Sequence, residues 1–437
     1  MMRLIYVLLV YLLAPLVIAH EAWQALRDPA YRGRLGQRLG FSPRPARTGG
    51  LWVHAVSVGE VQAAAGLIAE LRQRHPTLPI VITTTTPTGA QRARALYKDT
   101  VHHCYLPYDL PGAVSRFLDR IAPQAAIILE TEIWPTLYAA LERRGIPLVL
   151  GSARVTPRSV GRYRKLASLF RDALANDITI GAQTPGDAER FVAIGAPAAR
   201  VQVTGNIKYD LTIPPSTIEA GRALREQWDS RRPVWIAGST HEGEEEATLV
   251  AHAAVCRKFS NALLLLVPRH PQRFDAVRSL LRRREVSFAM RSAGALPAAG
   301  DTVLLVDTIG ELQMFYAASD VAFVAGSLVP IGGHSLLEPA VLGLPILSGP
   351  HTQNSQDVAD LLAQSGALRV VQDAQDLGNQ LLEHLADPVH AQARGAAGQD
   401  AVAANRGAVG RLVAMIEPLL RSSDARPATS SVSSGSR

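Results

Sequence analysis

The sequence predicts an α/β fold: two doubly wound, parallel-sheet halves behind an apolar N-terminal helix. Three observations carry this. Near-continuous apolar runs alternate with helical patterns along most of the chain, as strands covered on both faces require. The alternation breaks once, over 209–232, at Pro214-Pro215 and a charged run, and then restarts. No charged residue occurs from Leu4 to Ala19.

In the first half, strands are expected at 51–57, 79–85, 124–131, 147–152, 178–182 and 201–204. Helices are expected at 88–97, 113–121, 136–144 and 187–194. In the second half, strands are expected at 234–237, 262–267, 303–306, 321–325, 345–347 and 368–371. The helices there are 244–258, 274–284, 311–318, 336–342, 356–364 and 377–386, followed by an Ala-rich helical end to about 420. Both halves show the βαβ rhythm of Rossmann-like domains. The domain reading is an anchor at 1–22, a first domain at 23–212, a second at 213–421, and a Ser-rich disordered tail at 422–437.

The apolar N-terminal run is close to the roughly 20 residues that a spanning helix needs. Arg27, Arg32, Arg34, Arg38, Arg44 and Arg47 follow it, so the main body is expected on the cytoplasmic side. A cleaved signal peptide and a monotopic segment are the competing readings. No small-x-small cleavage site follows the run, which argues against the first. The 437 residues carry a net charge of +7, which fits an anionic partner such as a membrane face, nucleic acid or a phosphorylated substrate. Two cysteines, Cys104 and Cys256, make no disulfide framework and fit a reducing compartment. No strand is convincingly followed by a dinucleotide glycine fingerprint, and no Walker lysine loop occurs, so dehydrogenase and P-loop readings are weak.

Strand ends that feed helices are where such sheets bind ligands. The first is Ser57-Val58-Gly59-Glu60. Glu60 is either the second half of a capping box, bonded to the Ser57 N–H, or a general base. Glu130-Thr131-Glu132-Ile133-Trp134-Pro135 puts two carboxylates at a strand end. Acid-x-acid can hold a metal, cap the next helix, or orient a site. Gly205-Asn206-Ile207-Lys208 places Lys208 at the domain border, as a solvated lysine or a ligand contact. Pro268-Arg269-His270 offers a planar guanidinium for a phosphate, or is a Pro-bounded turn. Asp307-Thr308-Ile309-Gly310-Glu311 opens a helix. Gly326 and Ser327 end a strand, and Pro330-Ile331-Gly332-Gly333-His334-Ser335-Leu336-Leu337-Glu338-Pro339 is a Gly-rich loop before a helix with the shape of an anion site, unless the glycines only permit a turn. Glu338 is placed to accept from a ribose diol. His102-His103-Cys104 is read as structural, because neighbouring strand residues point to opposite faces.

With these motifs in this order, the chain resembles glycosyltransferase family 30, the 3-deoxy-D-manno-octulosonic acid (Kdo) transferases. The resemblance runs from the anchor and Arg34-Leu35-Gly36-Gln37-Arg38-Leu39-Gly40 to the last helices. It implies a GT-B fold, two Rossmann-like domains facing across a cleft. It implies transfer of Kdo from CMP-Kdo to a lipid A precursor at the cytoplasmic face of the bacterial inner membrane, by an inverting displacement. No metal, cofactor or nucleic-acid partner is expected. By the family pattern Glu60 is the base, and Glu130 and Lys208 stabilise the transition state. Pro268, Arg269, Ile309, Gly310, Glu311, Ser335, Leu336, Leu337 and Glu338 match the CMP-contacting positions. The family usually has Asn where this chain has Ser335, so the reach of that contact is shorter. The rivals are another GT-B glycosyltransferase or an epimerase with a UDP-sugar, and a membrane-tethered sugar-nucleotide sensor without catalysis.

Overall fold

A computed structural model describes residues 2–156, 160–161, 173–174, 178–229, 231–294 and 296–424. The chain forms two compact units, one of residues 1–210 and 406–437, the other of residues 211–405.

The first unit is built on a parallel sheet in the order β3 (His102–Tyr105), β2 (Ile80–Thr84), β1 (Leu51–His54), β4 (Ala125–Leu129), β5 (Leu148–Ala153), β6 (Ile178–Ala182), β7 (Val201–Val203). Strand order reverses between β1 and β4, with Leu51 facing Ile80 on one side and Ala125 on the other. Side chains alternate across the pleat. Trp52, Ile128, Leu150 and Ile180 join Phe117 in one core. Val53, Ile82, Ile127 and Val149 join the opposite one. The helix Val58–Arg74 buries Val61, Ala64, Leu67, Ile68 and Leu71, one stripe at helical spacing. The indole of Trp52 is fully buried, and its N–H is satisfied by the Thr83 hydroxyl at 2.8 Å.

The second unit repeats the plan in the order β10 (Phe288–Met290), β11 (Val303–Leu305), β9 (Leu263–Pro268), β8 (Val234–Thr240), β12 (Val321–Val324), β13 (Ile346–Ser348), β14 (Leu368–Val370). Its reversal lies between β8 and β12. The expected interdomain connection contains the helix Pro215–Gln227, which belongs to this unit.

The structure departs from the sequence reading in three places. The second domain does not run on to 421. The helix Ala408–Asp424 returns to the first unit, where Leu412, Val413, Ile416 and Leu420 pack with Leu67, Ile127 and Val149. Gly151 admits it, since a Cβ there would lie 2.8 Å from Leu412. Asp210, the last residue before the chain leaves, accepts the N–H of Gly407 at 2.6 Å and of Val409 at 2.5 Å where the chain returns. That helix also continues through Ser422 to Asp424, which the sequence reading placed in the tail; 425–437 lie outside the described residues. The edge strand β10 had no expected counterpart, and β3 entered only as the strand carrying His102-His103-Cys104. The arginines that follow the N-terminal helix divide between surface and interior. Arg34 and Arg38 turn inward, Arg34 onto Glu21 at 2.9 Å and Arg38 onto the Leu106 carbonyl at 2.5 Å.

The N-terminal helix runs Met2–Arg27, about 39 Å at 1.5 Å per residue. It is long and apolar enough to cross a membrane.

Candidate active site

In the first unit, four chemical groups gather where β1, β4 and β7 end. β1 closes on His54, and the turn Ala55-Val56-Ser57 leads into the helix that carries Glu60. Ser57 caps that helix by accepting the Glu60 N–H. The Glu60 carboxylate reaches back, but not to the Ser57 N–H as expected. It accepts the Val56 N–H at 2.7 Å and the Ser57 hydroxyl at 3.1 Å. Glu60 therefore closes the first turn of its helix through Val56 and the Ser57 hydroxyl. Burial pushes the Glu60 carboxyl up to about 7, and the negative charge of Glu130 adds to the shift, while the Val56 and Ser57 bonds oppose it. Each carboxylate oxygen has a second lone pair, so both bonds leave capacity to take a proton.

Glu130 follows β4 with φ +59°, a left-handed backbone that non-glycine residues rarely adopt. Its side chain meets Lys208 at 2.6 Å. Lys208 sits in the turn Ile207–Asp210 after β7, and its N–H donates to Asn206 at 2.9 Å. Asn206 in turn lies against Ser152 and Gln183 at the ends of β5 and β6. The Lys208 turn is thus fastened to three strands.

Glu130 and Glu132 do not act as a pair. Glu132 takes the His54 ring at 3.0 Å and the Trp134 indole N–H at 2.9 Å. The other ring nitrogen of His54 lies 2.8 Å from the Thr83 hydroxyl. Burial alone would raise the Glu132 carboxyl, but the His54 bond and charge, with Trp134, outweigh it and hold it below its ordinary value. His54 and Trp134 are site residues that sequence reasoning did not single out. The signal was present: a histidine closing a buried apolar strand, one turn before Glu60.

In the second unit, the expected nucleotide residues lie at the carboxyl ends of their strands. Pro268 ends β9, and Arg269 follows with an exposed side chain, its N–H donating to Thr240 at 3.0 Å. Ile309 and Gly310 are exposed beyond β11. Glu311 is held by a two-pronged Arg291 contact at 2.7 and 3.1 Å, which keeps its carboxyl below the usual range. Leu336 and Leu337 are buried, so contacts from them to a ligand fall to their backbone. Ser335 is exposed, and Glu338 accepts from Gln313 at 2.8 Å.

The turn between β12 and the Gly-rich loop is held from within. The amides after β12 do not stand open for an anion. Glu244, fully buried, accepts from Gly326 at 2.7 Å, Ser327 at 2.9 Å and Leu328 at 3.0 Å, and from His241 at 3.1 Å. Gly326 has φ +72°, and a Cβ there would lie 2.8 Å from His334. His334 stacks on His241, with ring nitrogens 2.8 Å apart. Burial, helped by the charge of Arg269, pushes His334 down to about 3, so it is neutral near pH 7.

Comparison with known proteins gives these arrangements a context. Residues 33–211 match the family model described as 3-Deoxy-D-manno-octulosonic-acid transferase (kdotransferase). A 3-deoxy-D-manno-octulosonic acid transferase of Haemophilus influenzae is 39% identical over 426 residues, 96% of this chain and 99% of the relative. One from Bordetella pertussis is 39% identical over 413 residues, 91% of this chain and 92% of the relative. Among solved structures, UDP-GlcNAc 2-epimerase from Neisseria meningitidis is similar with TM-score 0.56, covering 85% of this chain and 100% of that one. At 14% identity it shows the fold alone, the two parallel α/β units of the GT-B type.

Proposed function

Because this chain belongs to the Kdo transferase family and is therefore a glycosyltransferase, we propose that it moves Kdo from CMP-Kdo to a lipid A precursor. The reaction is a single inverting displacement at the cytoplasmic face of the bacterial inner membrane, with Glu60 as general base. The observation that carries the mechanism is the Glu60 carboxyl. It is pushed up to about 7, where a base is both deprotonated enough to act and basic enough to take a proton from a sugar hydroxyl.

The other groups divide the remaining work. As the bond to CMP breaks, the Kdo ring becomes oxocarbenium-like, and a carboxylate such as Glu130 stabilises that charge. Lys208 holds Glu130 in place at 2.6 Å and supplies a cation for the carboxylate that Kdo itself carries. The His54–Glu132–Trp134 set fixes the loop from which Glu130 projects. On the nucleotide side, Arg269 takes the phosphate of CMP with its planar fork. The backbone of 309–311 and 335–337 and the carboxylate of Glu338 hold the cytidine and ribose. The single phosphate suits this set, since the amides of Gly326, Ser327 and Leu328 are already taken by Glu244.

The test is product analysis by mass spectrometry, with the full-length protein, CMP-Kdo and a synthetic tetra-acylated lipid A precursor. Acceptor mass should rise by one or more Kdo units as CMP is released. Transfer from a UDP-sugar instead, or no transfer to that acceptor, would overturn the assignment.

A further inference from the structure

We propose that the helix Met2–Arg27 lies in the plane of one leaflet of an anionic membrane, held along its length by the first unit, and does not cross the bilayer. It is tied to the body near both ends. Close to its start, the Tyr6 hydroxyl donates to Asp109 at 2.9 Å. Asp109 is itself buried and accepts the N–H of Thr136 at 2.9 Å and of Leu137 at 2.8 Å, capping the helix Pro135–Arg143. Towards its end, Glu21 pairs with Arg34 at 2.9 Å, and both side chains are more than nine-tenths buried.

Burial along the helix follows the same axis. Tyr6, Val10, Ala14, Ile18 and Glu21 are half-buried or buried, one stripe at spacings of three and four. The rest of the circumference is open and apolar. Leu4, Leu8, Leu12 and Leu16 are each about 70% exposed. An ordinary interfacial helix turns a polar face to water and an apolar face to lipid. Here the protein body stands where water would, and the apolar remainder faces outward.

A spanning pose conflicts with both ties. Tyr6 and Glu21 are fifteen residues apart, about 22 Å along the axis. If the axis stood along the bilayer normal, Asp109 and Arg34 would have to follow it through most of a hydrocarbon layer about 30 Å thick. Buried polar groups of a body with two parallel α/β sheets do not belong there. Laid flat, every contact survives and the exposed leucines reach one leaflet together. Charge points to the occupant. Arg27 and Arg32 are exposed at the end of the helix, with Arg27 stacked 3.8 Å from the Trp23 ring. Indole and arginine together suit an anionic headgroup layer.

The inference rests on reading this helix as the membrane attachment, not on the identity of either substrate. It is tested on the full-length protein in vesicles containing phosphatidylglycerol. Nitroxide labels are placed singly by Leu4→Cys, Leu8→Cys, Leu12→Cys and Leu16→Cys, in a Cys256→Ala background; Cys104 is buried and left in place. Depth is read from relaxation by oxygen and by a water-soluble nickel chelate. An in-plane helix gives four shallow depths that agree within a few ångströms. A spanning helix gives graded depths, with Leu12 about 12 Å deeper than Leu4, and would overturn the proposal. So would labels broadened by each other and shielded from lipid, which would show the face covered by a second copy. A failed transfer assay leaves these depths unchanged, so the two readings fail separately.

Discussion

The carboxyl ends of the two sheets use acidic residues in opposite ways. In the first unit, Glu60 is left under strain of environment: buried, beside Glu130, and raised to about 7. In the second, Glu244, after β8, is satisfied by four close amides, while Glu311, after β11 and away from the strand-order reversal, is held by a bidentate arginine. The same topological position, a strand end at the reversal of strand order, can therefore hold a buried carboxylate pushed well above its ordinary range or a rigid loop. What separates them is whether the carboxylate finds enough donors to offset its burial.

That contrast can be broken from either side. Glu60→Gln keeps an oxygen to accept the Val56 N–H but has no proton to exchange. Steady-state assays should show kcat lower by about 10²–10⁴-fold, with a melting temperature near that of the unmodified protein. Full activity would return Glu60 to a capping role. Glu244→Ala should do the reverse, acting first on the fold. It leaves buried amides without an acceptor, and chemical denaturation should show a loss of about 3 kcal/mol. A smaller change would mean that water replaces the carboxylate. The smallest effect is expected at Ser335, which is exposed. Ser335→Asn lengthens the reach of one polar group and should lower KM for CMP-Kdo by a few-fold, with kcat and melting temperature unchanged. No change in KM would remove Ser335 from the nucleotide site.

The fold was legible where burial is two-sided. β1, β4 and β9 read as unbroken apolar runs because both faces are covered by helices. β3 does not appear among the apolar runs because it lies at the sheet edge, where His102 and His103 are half-exposed. β10 is a half-buried edge strand of three residues. The last helix was assigned to the wrong unit because its apolar stripe shows only that it packs, not against what. Leu412 finds Val149 and Ile127 across more than two hundred and fifty residues of chain. The site divides along the same line. Glu60, Glu130 and Lys208 stand in short motifs next to strand ends, where a sequence reading can single them out. Glu244 was not singled out, because the amides that explain it lie more than eighty residues later.

The most direct measurement of the central claim is the pH dependence of kcat/KM for Kdo transfer, in the unmodified protein and in Glu130→Gln. A carboxyl raised to about 7 should give an acid limb with apparent pKa near 7, the rate rising with pH. Glu130→Gln removes the neighbouring charge that contributes to the shift and should move that limb to lower pH, whatever it does to the plateau. The linked stability has the opposite sense. The folded protein holds the Glu60 proton more tightly than the unfolded chain, so this contribution is present below about 4.5 and fades as pH rises through about 7. An acid limb near the ordinary carboxylate value, or one that Glu130→Gln leaves in place, would contradict Glu60 as the base.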